Sequence, residues 1–301
     1  MDGIANAKAL ITGASGFLGS SLARQLASMG ARVIGVSRRP HVGADHEWRT
    51  CDLEDAKAVS QLFDETRPDY IFHLASYVTG ARDLKTVLPT FRANVAAAVH
   101  VLSAACETGC RRIVLAGSME ELPDDQPARY PYAVAKRAAA EYGRFFHAAY
   151  GLPVVSARIA MVYGPGQRDT GKVMPHVIIS QLDGLAPRLS SGKRRVDWVH
   201  VQDVVRALIA CATVEGVDGS VVEIGSGRLT SVREVAERLT ALTGGPEPDL
   251  GALPDRANDV EAVMDTATTA QRIGWRAEID LAEGLRQTVS WFRSERSAGR
   301  L

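Results

Sequence analysis

Short apolar runs alternate with helical patterns along the first half of the chain. Several runs are apolar at nearly every position, as expected of strands buried on both faces. The predicted strands are Lys8–Thr12, Ala31–Val36, Glu47–Asp52, Tyr70–Leu74, Arg112–Ala116 and Val154–Ile159. Helical segments separate them, the longest being Val87–Thr108 and Tyr132–Tyr150. This alternation predicts an α/β fold in which helices cover both faces of a parallel sheet.

The pattern loosens after Gly164-Pro165-Gly166. A helix is predicted over Asp203–Ala212, a strand over Ser220–Ile224, and a further helix from the capping-box sequence Ser231–Glu234. Residues 243–254 are rich in glycine and proline and predict a loop. We therefore expect a larger sheet domain and a smaller C-terminal lobe. The expected boundaries are 1–164 plus about 195–226 for the sheet domain, and about 165–194 plus 227–301 for the lobe.

The composition suits a chain that buries a full core, since 46% of the residues are hydrophobic and 23% are charged. Lys and Arg together number 35, as do Asp and Glu, so the formal net charge is zero. This balance argues against a general nucleic-acid or membrane binder, but it leaves open a local basic pocket for a phosphorylated ligand. The N-terminus has no apolar signal stretch, and no run approaches the length of a membrane span. We expect a cytoplasmic protein without a membrane partner.

The cysteines and histidines do not have metal-ligand spacing. Cys106 and Cys110 lie one helical turn apart in an Ala-rich segment and are interpreted as packing residues rather than a metal or redox pair. A reduced compartment is the simplest interpretation. His73 ends a buried strand, so we expect a packed, hydrogen-bonded side chain there rather than a general base. No metal site is expected.

A glycine-rich turn follows the first predicted strand and precedes the first helix. Gly13 allows a tight turn, Gly16 lets the backbone approach a pyrophosphate at the positive helix N-terminus, and Gly19 lets the helix pack on the sheet. In this context the turn predicts dinucleotide binding by a Rossmann-type doubly wound sheet. The residues of the turn predicted to bind the cofactor are Gly13, Ser15, Gly16, Phe17, Leu18 and Gly19.

The second strand runs into Ser37-Arg38-Arg39. NAD-binding proteins usually have an acidic residue here, about 20 residues after the glycines, which binds the ribose 2′-hydroxyl. A guanidinium pairs instead with a 2′-phosphate, so these residues favour NADP over NAD. The alternative is that both arginines are solvated loop charges. Asp52, which with Leu53 closes the third strand, could contact the adenine amine.

Tyr132 and Lys136 are four residues apart at the start of a predicted helix, so they share a face. A phenol with a pKa near 10 is a poor acid or base at neutral pH. A nearby ammonium stabilises the phenolate and is expected to lower that pKa. Ser118 follows a predicted strand at the carboxyl edge of the sheet, where its hydroxyl can hold the same substrate oxygen. These three residues predict proton transfer coupled to hydride transfer at a carbon–oxygen centre.

With these motifs the chain resembles the extended short-chain dehydrogenase/reductases, a group of nucleotide-sugar epimerases, dehydratases and ketoreductases. The resemblance runs nearly from end to end. The matching positions are Thr12–Gly19, Asp52-Leu53, His73–Ser76, Asn94, Ser118, Tyr132–Lys136, Arg158, Tyr163–Pro165, Asp197–Val201, Asp203, and Arg256 through Gly274-Trp275.

The resemblance implies that Ser118, Tyr132 and Lys136 are the catalytic set. It implies a small-molecule substrate, a nucleotide sugar, with Arg256 near its diphosphate. The implied cofactor-lining residues are Leu74, Ala75 and Ser76, and the implied substrate-binding residues are Asn94, Met161, Arg195 and Arg256. The two long helices could pair with the same helices of a second subunit, as in the family, to form a homodimer. The alternative is that they only cover the sheet.

The chain also departs from the family pattern. Met161 stands where many relatives have Asn, and Val196 where many have Arg, with Arg195 just upstream. These departures could alter the grip on a diphosphate. Glu120 falls where dehydratase relatives have their base, but the acid that they carry beside it is replaced by Met119. Some reductase-like relatives also keep that Glu.

Three functions remain open. The leading hypothesis is an NADPH-dependent ketoreductase of a nucleotide-linked keto sugar, because Arg38 and Arg39 favour NADPH and the dehydratase acid is absent. The alternative is a nucleotide-sugar epimerase or 4,6-dehydratase that keeps its cofactor and recycles the hydride. The third is a non-catalytic NADP-sensing module, which the intact set of Ser118, Tyr132 and Lys136 argues against.

Overall fold

The computed structural model describes residues 3–41, 46–121, 128, 130–255 and 261–301. The strands are β1 Lys8–Thr12, β2 Arg32–Ser37, β3 Glu47–Thr50, β4 Tyr70–His73, β5 Arg112–Ala116, β6 Val154–Ile159, β7 Met161–Tyr163, β8 Arg188–Leu189, β9 Arg195–His200, β10 Val221–Ile224, β11 Leu229–Ser231 and β12 Asp249–Leu250. The α-helices are α1 Phe17–Ser28, α2 Ala56–Thr66, α3 Val87–Thr90, α4 Ala97–Thr108, α5 Pro131–Tyr150, α6 Val173–Leu182, α7 Val201–Thr213, α8 Val232–Thr243, α9 Thr266–Ile273 and α10 Leu281–Ser297.

Seven strands form one sheet in the order β10-β6-β5-β4-β1-β2-β3. The pairings from β6 through to β3 are parallel. The strand order reverses beside β1, because β2 and β3 extend the sheet on one side of it and β4, β5 and β6 on the other. Doubly wound folds bind ligands at the carboxyl strand ends next to such a reversal. The predicted Rossmann-type α/β fold is therefore confirmed.

The core beneath this sheet forms from apolar strand residues and the inner faces of α2 and α4. Leu10 and Ile71 on the strands are fully buried, as are Phe63 on α2 and Leu102 on α4. Asp55 caps the N-terminus of α2, where its carboxylate accepts the N–H groups of Lys57 and Ala58. Strands that are buried on both faces explain the nearly continuous apolar runs in the sequence.

The helix predicted over Val87–Thr108 is not a single α-helix. Six residues, Phe91–Ala96, form a wider π-helical turn between α3 and α4. The buried side chain of Asn94 lies in this turn. Turns of this kind are frequent at functional sites. Hydrophobic spacing could not reveal the turn, because one widened turn changes the period too little.

The helical run Leu84–Thr108 is long and apolar enough, by length and composition, to cross a membrane. This corrects the expectation that no run approaches that length. In its most apolar window, 44% is buried inside the protein, and Val101 and Leu102 belong to the core. A core helix passes the same test, so the run supports no conclusion about a membrane.

Two small sheets lie outside the seven-stranded sheet. One has the order β11-β9-β7, and the other pairs β12 with β8. Asp197 on β9 is fully buried and accepts the N–H groups of Ser226, Gly227 and Met264. These bonds tie two separate loops to β9. A charged residue in a buried strand is thus explained by backbone donors that converge on it.

The chain divides into two compact units, each of which is made of several segments. The first consists of Met1–Ile159, Val205–Glu223 and Thr268–Trp275, and the second of Ala160–Val204, Ile224–Ala267 and Arg276–Leu301. Besides short shifts at 160–164 and 224–226, these bounds differ from the expected ones in two longer segments. Residues 195–204 belong to the second unit because β9 pairs with β7 and β11. Residues 268–275 belong to the first, where the Thr269 hydroxyl donates to the Glu223 carbonyl at 2.6 Å.

Candidate active site

The carboxyl ends of the parallel strands bring distant parts of the first unit together. Thr12 at the end of β1 pairs in register with Val36 on β2 and with His73 on β4. His73 in turn pairs with Leu115 on β5, three residues before Ser118. The predicted cofactor segments and Ser118 therefore lie along one edge of the sheet.

The glycine turn is shaped by close backbone approaches. Gly13 has a φ of +71°, and a Cβ added there would lie 2.8 Å from the Ala75 nitrogen. A Cβ on Gly19 would lie 2.2 Å from the Gly13 carbonyl oxygen. Gly16 is the N-cap of α1 and provides no side-chain cap, so the first N–H groups of the helix face outward from the turn. This is a cradle that fits a pyrophosphate.

The turn after β2 exposes both arginines that were predicted to select NADP. The Ser37 hydroxyl donates to the Arg39 carbonyl at 2.5 Å and so fixes the backbone of this turn. Among the described residues, neither guanidinium has a hydrogen bond or ion pair with another side chain. Asp52 is exposed, and its carboxylate accepts the Glu54 N–H at 3.1 Å. The contacts of Arg38, Arg39 and Asp52 with a cofactor stay predictions.

Asn94 orients the segment that follows β4. Its side-chain oxygen accepts the Tyr77 N–H at 2.7 Å and the Ser76 hydroxyl at 3.1 Å, and its nitrogen donates to the Tyr77 carbonyl at 3.1 Å. Ser76 in turn lies beside the Tyr132 hydroxyl. The π-helical turn therefore positions Ser76, while a direct substrate contact of Asn94 stays a prediction. Leu74 and Ala75 are partly buried beside the glycine turn.

Ser118 lies in a tight turn that is anchored to β6. The Gly117 N–H donates to the Ala157 carbonyl at 2.7 Å, and the Met119 N–H donates to the Ile159 carbonyl at 2.9 Å. The Ser118 hydroxyl accepts the Glu120 N–H at 3.2 Å. The backbone thus holds the hydroxyl oxygen at a defined place at the edge of the sheet.

Tyr132 lies beside Ser118 and Ser76, and its role in proton transfer stays a prediction. α5 begins with Pro131, which places Tyr132 in its first turn. Burial raises the pKa of Tyr132 to about 12, and the Glu121 and Glu120 carboxylates add to the rise, while hydrogen bonds with Ser118 and Ser76 oppose it. The expected lowering of this pKa by Lys136 is therefore not found. The ring keeps some exposed surface, but protein atoms surround the hydroxyl.

Lys136 is buried one turn further along α5. Its Nζ donates to the Ala116 carbonyl at 2.8 Å and lies 5.8 Å from the centroid of the Tyr132 ring. Burial lowers the pKa of Lys136 to about 8, and the Glu121 carboxylate opposes that fall. Because the Lys136 ammonium is held by the Ala116 carbonyl, it lies away from the Tyr132 phenol.

His73 is a packed side chain, as its place at the end of a buried strand suggested. Its Nδ1 lies 2.9 Å from the Thr12 hydroxyl. Burial, followed by the charge of Lys136, lowers the pKa of His73 to about 3. His73 is therefore neutral near pH 7. No group of three or more His, Cys, Asp or Glu side chains that could hold a metal occurs in the described part of the chain.

Glu120 is engaged with a neighbouring side chain. The Tyr130 hydroxyl donates to its carboxylate, and the Arg82 guanidinium lies 5.8 Å from the centroid of the Tyr130 ring. Met119 is only 3% exposed, so its thioether fills space beneath the turn. The residue that precedes Glu120 is thus a thioether rather than an acid.

One charged group at the site was missed by the sequence analysis. Glu121 is buried, accepts the Ser118 N–H at 2.7 Å, and pairs with Arg158 on β6 at 3.5 Å. Arg158 also donates to Glu223 at 2.8 Å. An acidic residue in a predicted loop looks like a solvated charge, so no local signal revealed this network.

The remaining substrate-binding predictions fall on the second unit. Met161 is partly buried in β7, and Arg195 is exposed at the start of β9, where its backbone N–H donates to Glu261 at 2.9 Å. Arg256 lies outside the described residues. Substrate contacts of these three residues stay predictions.

A glycine turn at the strand-order reversal, with Ser118 and Tyr132 close together after β5, two strands from β1, is typical of one class: extended short-chain dehydrogenase/reductases that use a nicotinamide dinucleotide. The sequence profile described as "NAD dependent epimerase/dehydratase family" matches residues 9–225. The chain belongs to this family. The resemblance stated from sequence is thereby confirmed.

Full-length relatives include proteins of two activities. The chain is 30% identical to a UDP-glucose 4-epimerase of Mycolicibacterium smegmatis, over 96% of this chain and 99% of that protein. It is 27% identical to a probable dTDP-glucose 4,6-dehydratase of Sinorhizobium fredii, over 94% and 92%. The solved structure of a UDP-glucose 4-epimerase with UDP-glucose from Thermotoga maritima superposes with a TM-score of 0.88, at 28% identity, over 96% of this chain and 99% of that one.

Gly19→Ala tests the cradle. The added methyl must push α1 away from the turn, because its place lies 2.2 Å from the Gly13 oxygen. Overpacking of this kind costs about 1–3 kcal/mol, so we expect the affinity for NAD(H) to fall roughly 10- to 100-fold. Isothermal titration measures it. Ser21→Ala, on the same helix, is the matched control, and wild-type affinity in Gly19→Ala would contradict the assignment.

Proposed function

We propose that the chain is a nucleotide-sugar epimerase that inverts a hydroxyl-bearing sugar carbon and keeps its cofactor between turnovers. The observation that carries the proposal is the Tyr132 phenol beside the Ser118 hydroxyl at the carboxyl edge of the sheet, next to a turn without the dehydratase acid. Full-length similarity to UDP-glucose 4-epimerases supports a UDP-hexose substrate. This places an alternative ahead of the ketoreductase that the sequence analysis favoured.

The chemistry follows from the side chains. NAD supplies the hydride acceptor and donor when bound. Tyr132, as phenolate, takes the proton of the sugar hydroxyl while the hydride leaves the same carbon, and Ser118 holds the oxygen. Tyr132 returns the proton when the hydride comes back to the opposite face of the keto sugar. Lys136 stabilises the phenolate as long as its ammonium stays charged, and net consumption of cofactor is zero.

Met119 argues against a 4,6-dehydratase. Water loss from the sugar needs a proton for the departing hydroxyl, and a buried thioether cannot supply one. Glu120, at the place of the dehydratase base, accepts a hydrogen bond from Tyr130. Several curated relatives are dehydratases, so this difference in side chains is the reason to prefer an epimerase.

A ketoreductase is the second candidate, and one observation favours it. Arg38 and Arg39 are exposed at the end of β2, where an NAD enzyme usually has an acidic residue. Their charge suits NADP, and an enzyme that consumes external NADPH releases its cofactor at each turnover.

Incubation with UDP-glucose tests the proposal. We expect UDP-galactose to form without a net change in nicotinamide absorbance, and the enzyme to retain activity after gel filtration. NADPH consumed in step with reduction of a dTDP-4-keto-6-deoxy sugar would instead establish the ketoreductase. Conversion of dTDP-glucose to its 4-keto-6-deoxy product would establish the dehydratase.

Tyr132→Phe belongs to the same experiment, because it removes the proton carrier and keeps the ring. We expect a loss of about 10²- to 10⁴-fold in kcat with little change in cofactor affinity. The control is Tyr142→Phe, which changes an exposed tyrosine of the same helix. Wild-type turnover in Tyr132→Phe would remove Tyr132 from the mechanism.

We propose that Arg38 and Arg39 give the site an affinity for a 2′-phosphate. Removing a charge-assisted partner costs about 1.5–3 kcal/mol, so Arg38→Ala with Arg39→Ala should weaken NADP roughly 10- to 100-fold and leave NAD unchanged. Fluorescence titration with both nucleotides measures the effect. Arg67→Ala, at an exposed arginine after α2, is the control. Equal wild-type affinities for NAD and NADP would show that the arginines are solvated charges.

We also propose that Met161, Arg195 and Arg256 contact the nucleotide sugar, with the two arginines near its diphosphate. The support is the pairing of a guanidinium with phosphate oxygens and the positions of these residues in the resemblance.

We propose a homodimer formed through the Leu84–Thr108 run and α5. Leu88 and Phe91 on the run, and Val134 and Phe145 on α5, are exposed apolar side chains, and α5 packs against the π-helical turn. Exposed apolar surface of this kind is typical of a subunit interface.

Leu88→Asp tests the dimer. A carboxylate in an apolar interface loses its hydration, so we expect a shift from dimer to monomer in sedimentation velocity. The matched control is Leu185→Asp in the second unit, because Leu88 and Leu185 are both 62% exposed. A wild-type monomer at micromolar concentration would exclude the proposed interface.

A further inference from the structure

The buried carboxylate of Glu121 contacts the backbone of Ser118. Glu121 Oε1 accepts the Ser118 N–H at 2.7 Å, and the Glu121 side chain is 2% exposed. A Cβ on Gly117 would lie 2.6 Å from the same oxygen. The turn therefore has room for this carboxylate only because residue 117 has no side chain.

A chain of charges leads from Glu121 towards solvent. Arg158 Nε lies 3.5 Å from Glu121 Oε2, and Arg158 Nη1 donates to Glu223 at 2.8 Å. Arg158 and Glu223 are each partly exposed, whereas Glu121 is not. Burial raises the pKa of Glu121, and the Ser118 N–H, the Arg158 guanidinium and the Lys136 ammonium oppose the rise. These three groups favour the ionised form.

The same carboxylate faces the proton-transfer groups. It opposes the lowering of the Lys136 pKa by burial, and it adds to the raised pKa of Tyr132. The Lys136 ammonium also acts on His73, which is neutral. The titratable groups around Glu121 are Tyr132 and Lys136 on α5, Glu120 in the turn, Arg158 on β6 and His73 at the end of β4.

We propose that Glu121 is a positioning residue for the reaction: its carboxylate fixes the backbone of Ser118 and keeps Lys136 charged beside Tyr132. Glu121 itself exchanges no proton with the substrate. Its effect on the reaction is electrostatic and acts through the charge of Lys136. A buried acid with a purely structural role would leave the titration of Lys136 unaltered. The inference rests on the proposed role of Tyr132 in proton transfer.

The titration of Lys136 tests this without any substrate. The chain has six lysines, and burial lowers the pKa of Lys136 to about 8. In protein labelled with ¹³C-lysine, its resonance is identified by its loss in Lys136→Met. In Glu121→Gln we expect the Lys136 titration midpoint to fall by about 1 pH unit, because the variant removes the carboxylate charge that favours the ammonium form.

Three further variants separate charge from structure. Glu121→Asp keeps the charge and should restore the midpoint towards the wild-type value. Asp218→Asn removes the carboxylate that pairs with Arg112 at 2.7 Å, elsewhere in the first unit, and should not move it. Glu121→Gln combined with Arg158→Gln removes opposite charges together, so it gives a second folded protein in which the same fall is expected if Glu121→Gln alone does not fold.

Activity gives an independent readout. With UDP-glucose as probe, the alkaline decline of kcat should move to lower pH in Glu121→Gln, in parallel with the Lys136 midpoint. An unchanged Lys136 midpoint in both the single and the double variant overturns the inference, whatever the activity. A lowered midpoint in a protein that does not turn over UDP-glucose supports the inference and refutes the proposed function instead.

Discussion

The parallel register of β1 between β2 and β4 is the constraint on which the rest of the first unit depends. Because neighbouring strands run the same way, each strand delivers its following loop to the same edge of the sheet. The glycine turn, the segment after β4 and the Ser118 turn come from distant parts of the sequence. They meet only because this register holds, and any antiparallel strand would send one loop to the opposite edge.

Burial has a larger effect than neighbouring charges on the groups at this edge. It raises the pKa of Tyr132 to about 12 and lowers those of Lys136 to about 8 and His73 to about 3. In each case the neutral form is favoured, as expected where water is excluded. Proton transfer therefore depends on the few charges that act against burial. The Glu121 carboxylate is such a charge for Lys136, which is why a residue without substrate contact acquires importance.

The family relation constrains the chemistry without choosing among its members. Epimerases, dehydratases and reductases share proton transfer coupled to hydride transfer at a carbon–oxygen centre, so residues that serve this step, such as Ser118, Tyr132 and Lys136, cannot distinguish them. The distinguishing positions lie beside them. Met119 argues against water elimination, whereas Arg38 and Arg39 concern the cofactor that is used and whether it is exchanged.

The sequence by itself determined the alternating elements, the glycine turn and the pairing of Tyr132 with Lys136 on one helical face. These features depend on local spacing, which periodicity and turn chemistry reveal directly. It did not reveal the π-helical turn, the place of β9 in the second unit, or the role of Glu121. Glu121 looks like a loop charge until β6 brings Arg158 beside it. Only the tertiary structure could decide this, because burial and the distance between charges, rather than residue type, set the pKa values of Tyr132 and Lys136.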